Sequence, residues 1–162
     1  MTIGPTLPGP PGLHAALVRH TGYLISRLGS HAQRQFSAAL ESLAVTPRMW
    51  GALNVLASEE MMTQQELGKS IGMDPSTMVA TIDELESRGL VQRRPHPSDR
   101  RAHALYITQP GRDTLARGRR LAGKAQDQLL APLSAEERAV LHDLLLRVAQ
   151  AAGQGTNGPI KN

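Results

Sequence analysis

Three patterns in the sequence predict a mainly α protein, a winged helix-turn-helix with long N- and C-terminal dimerisation helices and a two-stranded wing. Two short capped helical segments follow one another across a glycine-containing turn, two β-prone segments come directly after them, and long segments with apolar residues at helical spacing lie on both sides. A chain of 162 residues can bury one sizeable core but leaves little room for a second. We therefore expect one domain with helical extensions.

The N-terminal part of the chain predicts a tail followed by a dimerisation helix region. Residues 1–12 are rich in Gly and Pro, which favours a disordered tail. In residues 13–45, apolar side chains recur at helical spacing over about thirty residues, and a stripe of that length needs a partner. Gly29 and Ser30 lower the local helix propensity and favour a kink or break there. The stripe consists of Leu13, Leu17, Leu24, Leu28, Phe36, Leu40 and Leu43.

Residues 46–108 are expected to form the winged helix-turn-helix. Its last two helices, of about nine and fourteen residues, are separated by a short turn containing Gly72. The segments LVQRR and HALYIT then have the character of two strands, joined by a loop with an arginine pair on either side. The start and stop signals of the helices are Thr46-Pro47, Thr63 with Glu66, Gly72, Asp74-Pro75 and Gly89.

Residues 109–152 predict two C-terminal dimerisation helices. The first is capped by Thr108, and the second opens with the capping-box pair Ser134 and Glu137. Residues 153–162 are expected to be a second disordered tail. The apolar face of the last helix carries Leu141, Leu144, Leu145 and Val148.

The charge distribution favours an acidic partner such as nucleic acid. The net charge is +4, and fifteen of the eighteen basic residues are arginine, whose planar fork suits phosphate and base edges. A GC-rich coding bias would give the same arginine excess. Between residues 88 and 120 nine arginines stand against two aspartates, so the rest of the chain is slightly acidic. The basic residues are therefore concentrated around the expected wing.

Several other classes of site are not indicated. Without cysteine there is no disulfide, thiolate zinc site or thiol redox switch. His14, His20 and His31 are not spaced to place two imidazoles on one metal, so neither a metal nor a cofactor is expected. Paired carboxylates, nucleophile-base arrangements and phosphate-binding glycine loops are missing, so we expect no enzyme. With no apolar run of about twenty residues and no signal-peptide core, we expect a cytoplasmic protein with no membrane partner.

The stretch QELGKSIGMDPSTMVATIDELESRGLVQRRPHPSDRRAHALYITQPGR resembles the MarR family of bacterial transcriptional regulators. The matching features occur in order over about fifty residues, and the flanking helices extend the resemblance to roughly residues 13 to 150. The resemblance implies a homodimer whose first and last helices interlock and which binds a palindromic operator. The features are Gly72-Met73-Asp74, Asp83, Leu85, Arg88-Gly89-Leu90-Val91, Asp99-Arg100-Arg101, Ile107-Thr108 and Gly111.

On the second helix of the pair, short polar residues are predicted to face the major groove of DNA. We place Ser76, Thr77 and Thr81 against DNA, with the alternative that the first two are ordinary first-turn residues. Many members of the family carry an arginine where this chain has Ala80, so a bidentate guanine contact is missing there. Glu84 faces the same way and would repel phosphate unless it lies beyond the groove or accepts a hydrogen bond from cytosine. The buried side is marked by Met78, Ile82 and Leu85.

The wing is expected to compensate for that missing arginine. Its tip lies near the minor groove, whose negative potential attracts arginine, and Arg100 is the candidate for insertion. Arg93 and Arg94 are expected to meet phosphates. The resemblance implies that Asp99 pairs with Arg101 and orients the loop. Any one of these arginines is equally well explained as a solvated charge, whereas the set of four is not.

The resemblance also implies a small aromatic or other organic acid as effector, bound between the dimer helices and the winged domain. His20 and Tyr23 would orient the acid and Arg27 would pair with its carboxylate, on one face of the first helix. Trp50 at the start of the second helix is the fourth candidate. The alternative is that Trp50 belongs to the core and the other three are boundary residues.

Together these patterns predict a DNA-binding transcriptional regulator, a repressor, that binds a pseudopalindromic operator in double-stranded DNA as a homodimer and is released by a small organic ligand. One alternative is an architectural or weakly specific DNA-binding protein without a ligand. Another is a winged helix that uses its apolar faces to bind protein.

Overall fold

The structure, a computed structural model, describes residues 13–59, 61–98 and 102–155. These residues are mainly helical, with a small antiparallel sheet, which confirms the predicted fold class. In the described part of the chain the elements are α1 Thr21–Glu41, α2 Pro47–Ser58, β1 Met62–Thr63, α3 Gln64–Ile71, α4 Pro75–Ser87, β2 Val91–Pro95, β3 His103–Ile107, α5 Gln109–Leu129 and α6 Ala135–Gly155.

The chain divides into two compact units, with the division between Ala125 and Gln126. The first unit holds α1 to α4, the sheet and most of α5. The second holds the end of α5 and α6. The predicted N-terminal tail, residues 1–12, lies outside the described residues. In the region of the predicted C-terminal tail, α6 continues to Gly155, beyond the expected start of the tail.

The middle of the N-terminal stripe forms one uninterrupted helix, α1, while Leu13 and Leu17 precede this helix and Leu43 follows it. Gly29 and Ser30 lie inside α1 with helical backbone, so the helix is not broken there. A helix can tolerate one glycine at a cost of about 1 kcal/mol, and the neighbouring hydrogen bonds hold it in place. Of the whole helix only Leu40 is buried. Apolar side chains in its first half remain exposed, among them Ile25 at 46% and Leu28 at 57%.

Helix capping in the winged helix follows the sequence signals. The Thr46 hydroxyl accepts a hydrogen bond from the Met49 amide at 3.2 Å at the start of α2. At α3 the amide of Thr63 donates to the Glu66 carboxylate at 2.8 Å and the Thr63 hydroxyl accepts from the Glu66 amide, so the predicted capping box is confirmed. Gly72 ends α3 with a φ of 64°, a conformation that favours glycine. These residues fix where α2 and α3 begin and where α3 ends.

The sheet has one strand more than predicted. β2 and β3 form the expected antiparallel hairpin, with Val91 opposite Ile107. β1 pairs with the other edge of β3, giving the order β1-β3-β2. β1 is only two residues long, and its Thr63 is also the N-cap of α3. Two residues are too few to show strand alternation, so this strand had no readable signal in the sequence.

The core of the winged helix lies between α2, α3, α4 and the sheet, and α5 seals it from one side. A Cβ atom on Gly111 would lie 2.1 Å from the carbonyl oxygen of Leu90, so α5 begins in direct contact with the backbone that leads into β2. The Leu90 carbonyl also accepts a hydrogen bond from the Thr108 amide at 3.1 Å. The deepest side chains are Leu53, Leu56, Leu67, Met78, Ile82, Leu85, Val91 and Leu105.

The second unit contains the turn between α5 and α6. Ser134 and Glu137 form the predicted capping box, with both hydrogen bonds present. Arg138 holds the turn by donating to the carbonyls of Leu130 and Leu133 and to the Asp127 carboxylate at 3.2 Å. The side chains described on α6 include no buried residue. Its exposed large apolar residues are Val140, Leu144, Leu145, Leu146 and Val148.

Membrane insertion finds no support in the helices. Among the residues that the structure describes, none of the helices combines the length and the apolar character that crossing a bilayer requires.

Candidate nucleic-acid interface

α4, which we call the recognition helix, has one buried and one exposed face. Met78, Ile82 and Leu85 are at most 1% exposed, which confirms the predicted buried side. The exposed face follows the ridge at i, i+3, i+4 and i+7 that helical geometry places together. Its members are Ser76, Val79, Ala80, Asp83, Glu84 and Ser87.

The first turn of the recognition helix is organised by Asp74. This carboxylate accepts a hydrogen bond from the Ser76 hydroxyl at 2.6 Å and another from the Thr77 amide at 2.9 Å. The Ser76 hydroxyl, followed by Thr77, holds the pKa of Asp74 well below its usual range. Ser76 therefore presents an oxygen that can still accept a hydrogen bond, while its proton is used in the cap. The geometry favours the alternative that Ser76 and Thr77 are first-turn residues that stabilise the start of the recognition helix.

Thr81 does not lie on the exposed face, and its predicted placement there is wrong. The residue is 8% exposed, its hydroxyl donates to the Thr77 carbonyl at 2.8 Å, and it contacts the Met73 sulfur at 3.7 Å. Thr81 is three residues after Met78 and four before Leu85, so the packed face of the helix is wide enough to include it. A small polar side chain that bonds its own helix can be buried at little cost.

Arg93, predicted to meet phosphate, is engaged within the protein. Its guanidinium donates to Asp83 at 2.6 Å, to Glu86 and to the Gln64 amide oxygen at 3.2 Å, and the side chain is only 24% exposed. Burial tends to lower the pKa of this guanidinium, but the hydrogen bonds to Asp83 and Glu86 outweigh it and raise the pKa. Arg93 thus connects β2 to α3 and to the recognition helix.

Glu86 is held from the same strand. Its carboxylate accepts from the Arg93 backbone amide at 3.0 Å as well as from the guanidinium. The backbone amide first, and then the guanidinium, lowers the pKa of Glu86. The link between the recognition helix and the wing is therefore partly backbone and partly ionic. Sequence analysis missed it because the partners are seven and ten residues apart along the chain and fall on different elements.

Glu84 has its own arginine. The Arg88 guanidinium lies 2.6 Å from the Glu84 carboxylate at i, i+4, and it also donates to the carbonyl of Ala44. The pair is well exposed, so it adds little to stability. It does partly neutralise the carboxylate that was expected to repel phosphate. Because Asp83 is also paired with an arginine, the exposed face of the recognition helix carries less unpaired negative charge than its sequence alone indicates.

Arg94 is the arginine on the described part of the wing that points outward. Its guanidinium carbon lies 5.0 Å from the centre of the Tyr106 ring and one nitrogen donates to the Gln92 side chain at 3.0 Å. Among the described residues it pairs with no carboxylate. Stacking on an aromatic ring holds the side chain extended while its remaining donors face solvent. The last hydrogen bond described between the two strands of the hairpin runs from the His96 amide to the Ala102 carbonyl, at 3.0 Å.

The remaining predicted wing contacts, Asp99, Arg100 and Arg101, lie outside the described residues. Their predicted roles stay predictions that follow from the sequence and the resemblance. The wing beneath them is described, and it carries Arg94 on its surface and Arg93 on the side facing the recognition helix.

The four candidate effector residues do not meet within one chain. Trp50 packs edge-on against Phe36, with ring centres 5.1 Å apart. Phe36 is nine residues beyond Arg27 and thirteen beyond Tyr23 on the same helix, which places them about 14 and 20 Å away along its axis. His20 immediately precedes that helix. Trp50 and the His20, Tyr23 and Arg27 group are therefore separate features of this chain.

Two buried side-chain atoms have no hydrogen-bond partner among the described residues: the indole nitrogen of Trp50 and the side-chain oxygen of Gln35 on α1. A Cβ on Gly118 would lie 2.8 Å from the indole, so α5 passes directly over the ring. Gln35 had not been singled out in the sequence, where it is one of several polar residues on α1. Burial of an unpartnered donor is costly, so the indole nitrogen of Trp50 is a candidate contact for a ligand.

No group of three potential metal ligands is found among the described residues.

The comparisons with known proteins agree with this arrangement. Residues 45–103 match the model of the MarR family. A curated relative, the putative transcriptional regulatory protein for the hcr operon of Thauera aromatica, is 32% identical over 137 residues, which is 84% of this chain and 82% of the relative.

Solved structures show the same likeness. The transcriptional repressor CouR, bound to a 23-mer DNA duplex, superposes with a TM-score of 0.77 and 32% identity over 82% of this chain and 94% of that chain. A mutant MarR from E. coli complexed with operator DNA gives a TM-score of 0.71 and 28% identity over 78% of this chain and 91% of that chain. With this fold, this family match and these relatives, the chain belongs to the MarR family of transcriptional regulators.

Proposed function

We propose that this protein is a transcriptional repressor that binds a pseudopalindromic DNA operator as a homodimer. The observation that carries the proposal is the exposed face of the recognition helix beside the outward-facing Arg94, with Asp83 and Glu84 both paired to arginines of the same chain. Such a face can enter a major groove without bringing unpaired carboxylates against phosphate. Two relatives of the same fold are solved with DNA, which supports this use of the fold.

The homodimer part of the proposal rests on apolar faces without a partner. Leu17 and Ile25 in the N-terminal region and Val140 and Val148 on α6 are each more than 40% exposed. Helices with such faces are expected to bury them, and a second copy of the chain is the partner that a palindromic site requires. Light scattering on the eluted protein should give about 35 kDa, twice the 17.5 kDa of one chain. A monomer at all concentrations would contradict it.

DNA contact is divided between the recognition helix and the wing. Ser76 and Thr77 would accept or donate at the major groove and Arg94 would meet phosphate, whereas Arg93 acts mainly through Asp83 and Glu86. For the residues beyond the described wing we retain the sequence-based roles: Arg100 in the minor groove, with Asp99 and Arg101 shaping the loop. The two arginines and the position of all three residues after β2 support the assignment.

The experiment for this proposal removes the wing arginines together. Replacing Arg100→Ala and Arg101→Ala in one variant should abolish specific binding in a gel shift while leaving the urea unfolding curve unchanged. The matched control removes the same charge elsewhere, with Arg117→Ala and Arg120→Ala on the exposed side of α5. Specific binding that persists in the wing variant, or is lost equally in the control, would show that the wing does not make the contact.

We also propose that a small organic acid, of aromatic or similar type, releases the repressor. The buried indole nitrogen of Trp50, which is unpartnered among the described residues and lies against α5 at Gly118, supports a site at Trp50. His20, Tyr23 and Arg27 form a second candidate group, on the N-terminal part of the chain.

The single tryptophan of the chain allows these two candidate sites to be distinguished directly. Titrating a panel of aromatic and aliphatic carboxylic acids should change the Trp50 fluorescence if a ligand enters near the indole. Arg27→Ala should abolish binding if the second group holds the carboxylate, and should leave binding unchanged if the Trp50 indole N–H donates to it. If no acid of the panel alters either the fluorescence or DNA binding, the effector part of the proposal fails while the operator part stands.

A further inference from the structure

Val79 is an apolar side chain that the fold leaves in solvent on the recognition helix. It is 44% exposed, while Met78 beside it and Ile82 one turn later are at most 1% exposed. Ala80 next to it is also exposed. A β-branched apolar residue is not the usual choice for an exposed helix position, because it has lower helix propensity and gains nothing from water. Val79 and Ala80, which we call the apolar step, together present a small hydrocarbon surface to solvent on the recognition helix.

The polar groups around the apolar step are mostly already used. One turn before it the Ser76 hydroxyl donates to Asp74, and one turn after it Asp83 accepts from Arg93. On the flank, Glu84 is bonded to Arg88. The Ser87 hydroxyl donates to the Glu84 carbonyl at 2.8 Å. Hydrogen bonding to base edges from the middle of this face is therefore limited, and the surface that remains to be matched is hydrocarbon.

In the major groove a hydrocarbon surface has one natural counterpart. Thymine alone among the four standard bases presents a methyl group there, at C5, and small apolar side chains recognise it by contact. The apolar step lies in the N-terminal half of the recognition helix, the part that approaches base edges in helix-turn-helix proteins. We propose that Val79, with Ala80 beside it, reads the C5-methyl group of a thymine in each half-site of the operator. This inference rests on the proposed function.

The assignment gives Ala80 a meaning of its own. A long side chain at this position would stand beside Val79 and keep its methyl groups away from the groove floor. With alanine there, the backbone approaches closely enough for the shorter valine to reach a methyl group. The short side chain of Ala80 and the apolar contact made by Val79 then act together to specify thymine.

The test exploits deoxyuridine, which differs from thymidine only by that methyl group. A site is first selected with the full-length protein from a pool of random duplexes of about 24 base pairs, long enough for two half-sites one helical turn apart. Each thymine of the selected site is then replaced singly, and symmetrically in both half-sites, by deoxyuridine. Dissociation constants are measured by fluorescence anisotropy for wild type and for Val79→Ala.

The expected result is one symmetric thymine pair whose replacement weakens wild-type binding by about fifteenfold, from about fourfold for each of the two lost methyl contacts. Val79→Ala should bind the thymine duplex about as weakly as wild type binds the deoxyuridine duplex, and should show no further loss at that position. Deoxyuridine at the other thymines is the internal control. Because Val79 is exposed, the variant should unfold at the same urea concentration as wild type.

Two results would overturn the inference in different ways. If a site is selected but deoxyuridine is harmless at every position, or weakens wild type and Val79→Ala equally, the apolar step does not read thymine and the proposed operator binding stands. If no site can be selected, the proposed function itself fails and this inference fails with it.

Discussion

Arg93 is an arginine of the wing whose partners lie within the protein. Its neighbour Arg94 lies on the same strand but points outward and stacks on Tyr106. The Arg93 side chain instead points inward and bonds to two carboxylates. Alternation along a strand separates the two by face. Substituting each arginine separately therefore compares a side chain bonded within the protein with one that faces solvent.

We predict that Arg93→Ala lowers the free energy of unfolding by about 1 to 2 kcal/mol, because Asp83 and Glu86 are left close together without their partner. Arg94→Ala should leave unfolding unchanged, since its ring contact is exposed, and should weaken DNA binding most at low salt. Urea titrations and gel shifts on both variants measure this. Equal stability of the two variants would contradict the assigned division of roles.

The pH dependence of the same contact has a definite sign. The pKa of Glu86 is lowered in the folded protein, so its contribution to stability is fully present above the ordinary value of 4.5 and is lost as the pH falls through the lower folded value. Glu86→Gln removes that titration. The stability advantage of wild type over Glu86→Gln should therefore be constant at neutral pH and shrink as the pH falls below the ordinary value of 4.5. An advantage that grows on acidification would contradict the sign.

Single residues were the least predictable scale. The apolar spacing identified Met78, Ile82 and Leu85 as buried because a period of 3.6 marks a core face directly. It placed Thr81 wrongly, since a pattern of residue types cannot show how wide the packed face becomes. Arg93 looked like its neighbour because its partners lie on other elements. Exposure of a valine is likewise visible only when the neighbouring elements are in place.

At the scale of elements, the contact of α5 with α1 and α2 depends on the absence of a side chain. Gly118 allows α5 to lie directly on Trp50, where a Cβ would also be 3.4 Å from Leu40. Gly123, later in the same helix, has no atom within 4 Å of the same position. A side chain at Gly118 would therefore collide with its neighbours, whereas a side chain at Gly123 would not.

We predict that Gly118→Ala destabilises the protein by about 1 to 3 kcal/mol and shifts the emission of Trp50, because the indole must move to accept the methyl group. Gly123→Ala should instead raise stability by up to about 1 kcal/mol through helix propensity, with unchanged emission. Thermal unfolding and tryptophan fluorescence give both values. If the two substitutions behave alike, the close approach over Trp50 does not exist.

Element boundaries were predictable where capping chemistry marks them. The caps at Thr46, Thr63 and Ser134 were all found, because each is a local hydrogen bond between residues near in sequence. β1 was missed, since its pairing with β3 is long-range and its length is two residues. The expected break at Gly29 did not occur, which shows that a propensity of this size is overridden within a long helix.

At the scale of the whole molecule, the account requires two copies on one DNA site. The exposed apolar faces of the N-terminal region and α6 provide surface for association, and the recognition helix and wing provide the DNA-facing surface. Fold class and family followed from the order of elements and a run of motif residues. Operator sequence and ligand depend on fine geometry, which a sequence does not encode in readable form.

The wing and the recognition helix also predict a strong salt dependence. Each phosphate neutralised by an arginine should add about 0.9 to the slope of log affinity against log salt, so a dimer with Arg94 on a phosphate in both copies should show a slope of about 1.8 or steeper. Arg94→Ala should lower that slope by about 1.8, because both copies lose a contact. Anisotropy titrations from low to moderate salt measure it. A slope unchanged by the substitution would remove Arg94 from the interface.

The measurement that tests the central claim most directly is competition. The protein bound to a labelled duplex selected from a random pool is challenged with the same unlabelled duplex or with an unrelated one of equal length. A sequence-specific regulator should require roughly a thousandfold more unrelated duplex for displacement. Displacement by both at equal concentration would contradict the account and indicate a DNA-binding protein without operator preference.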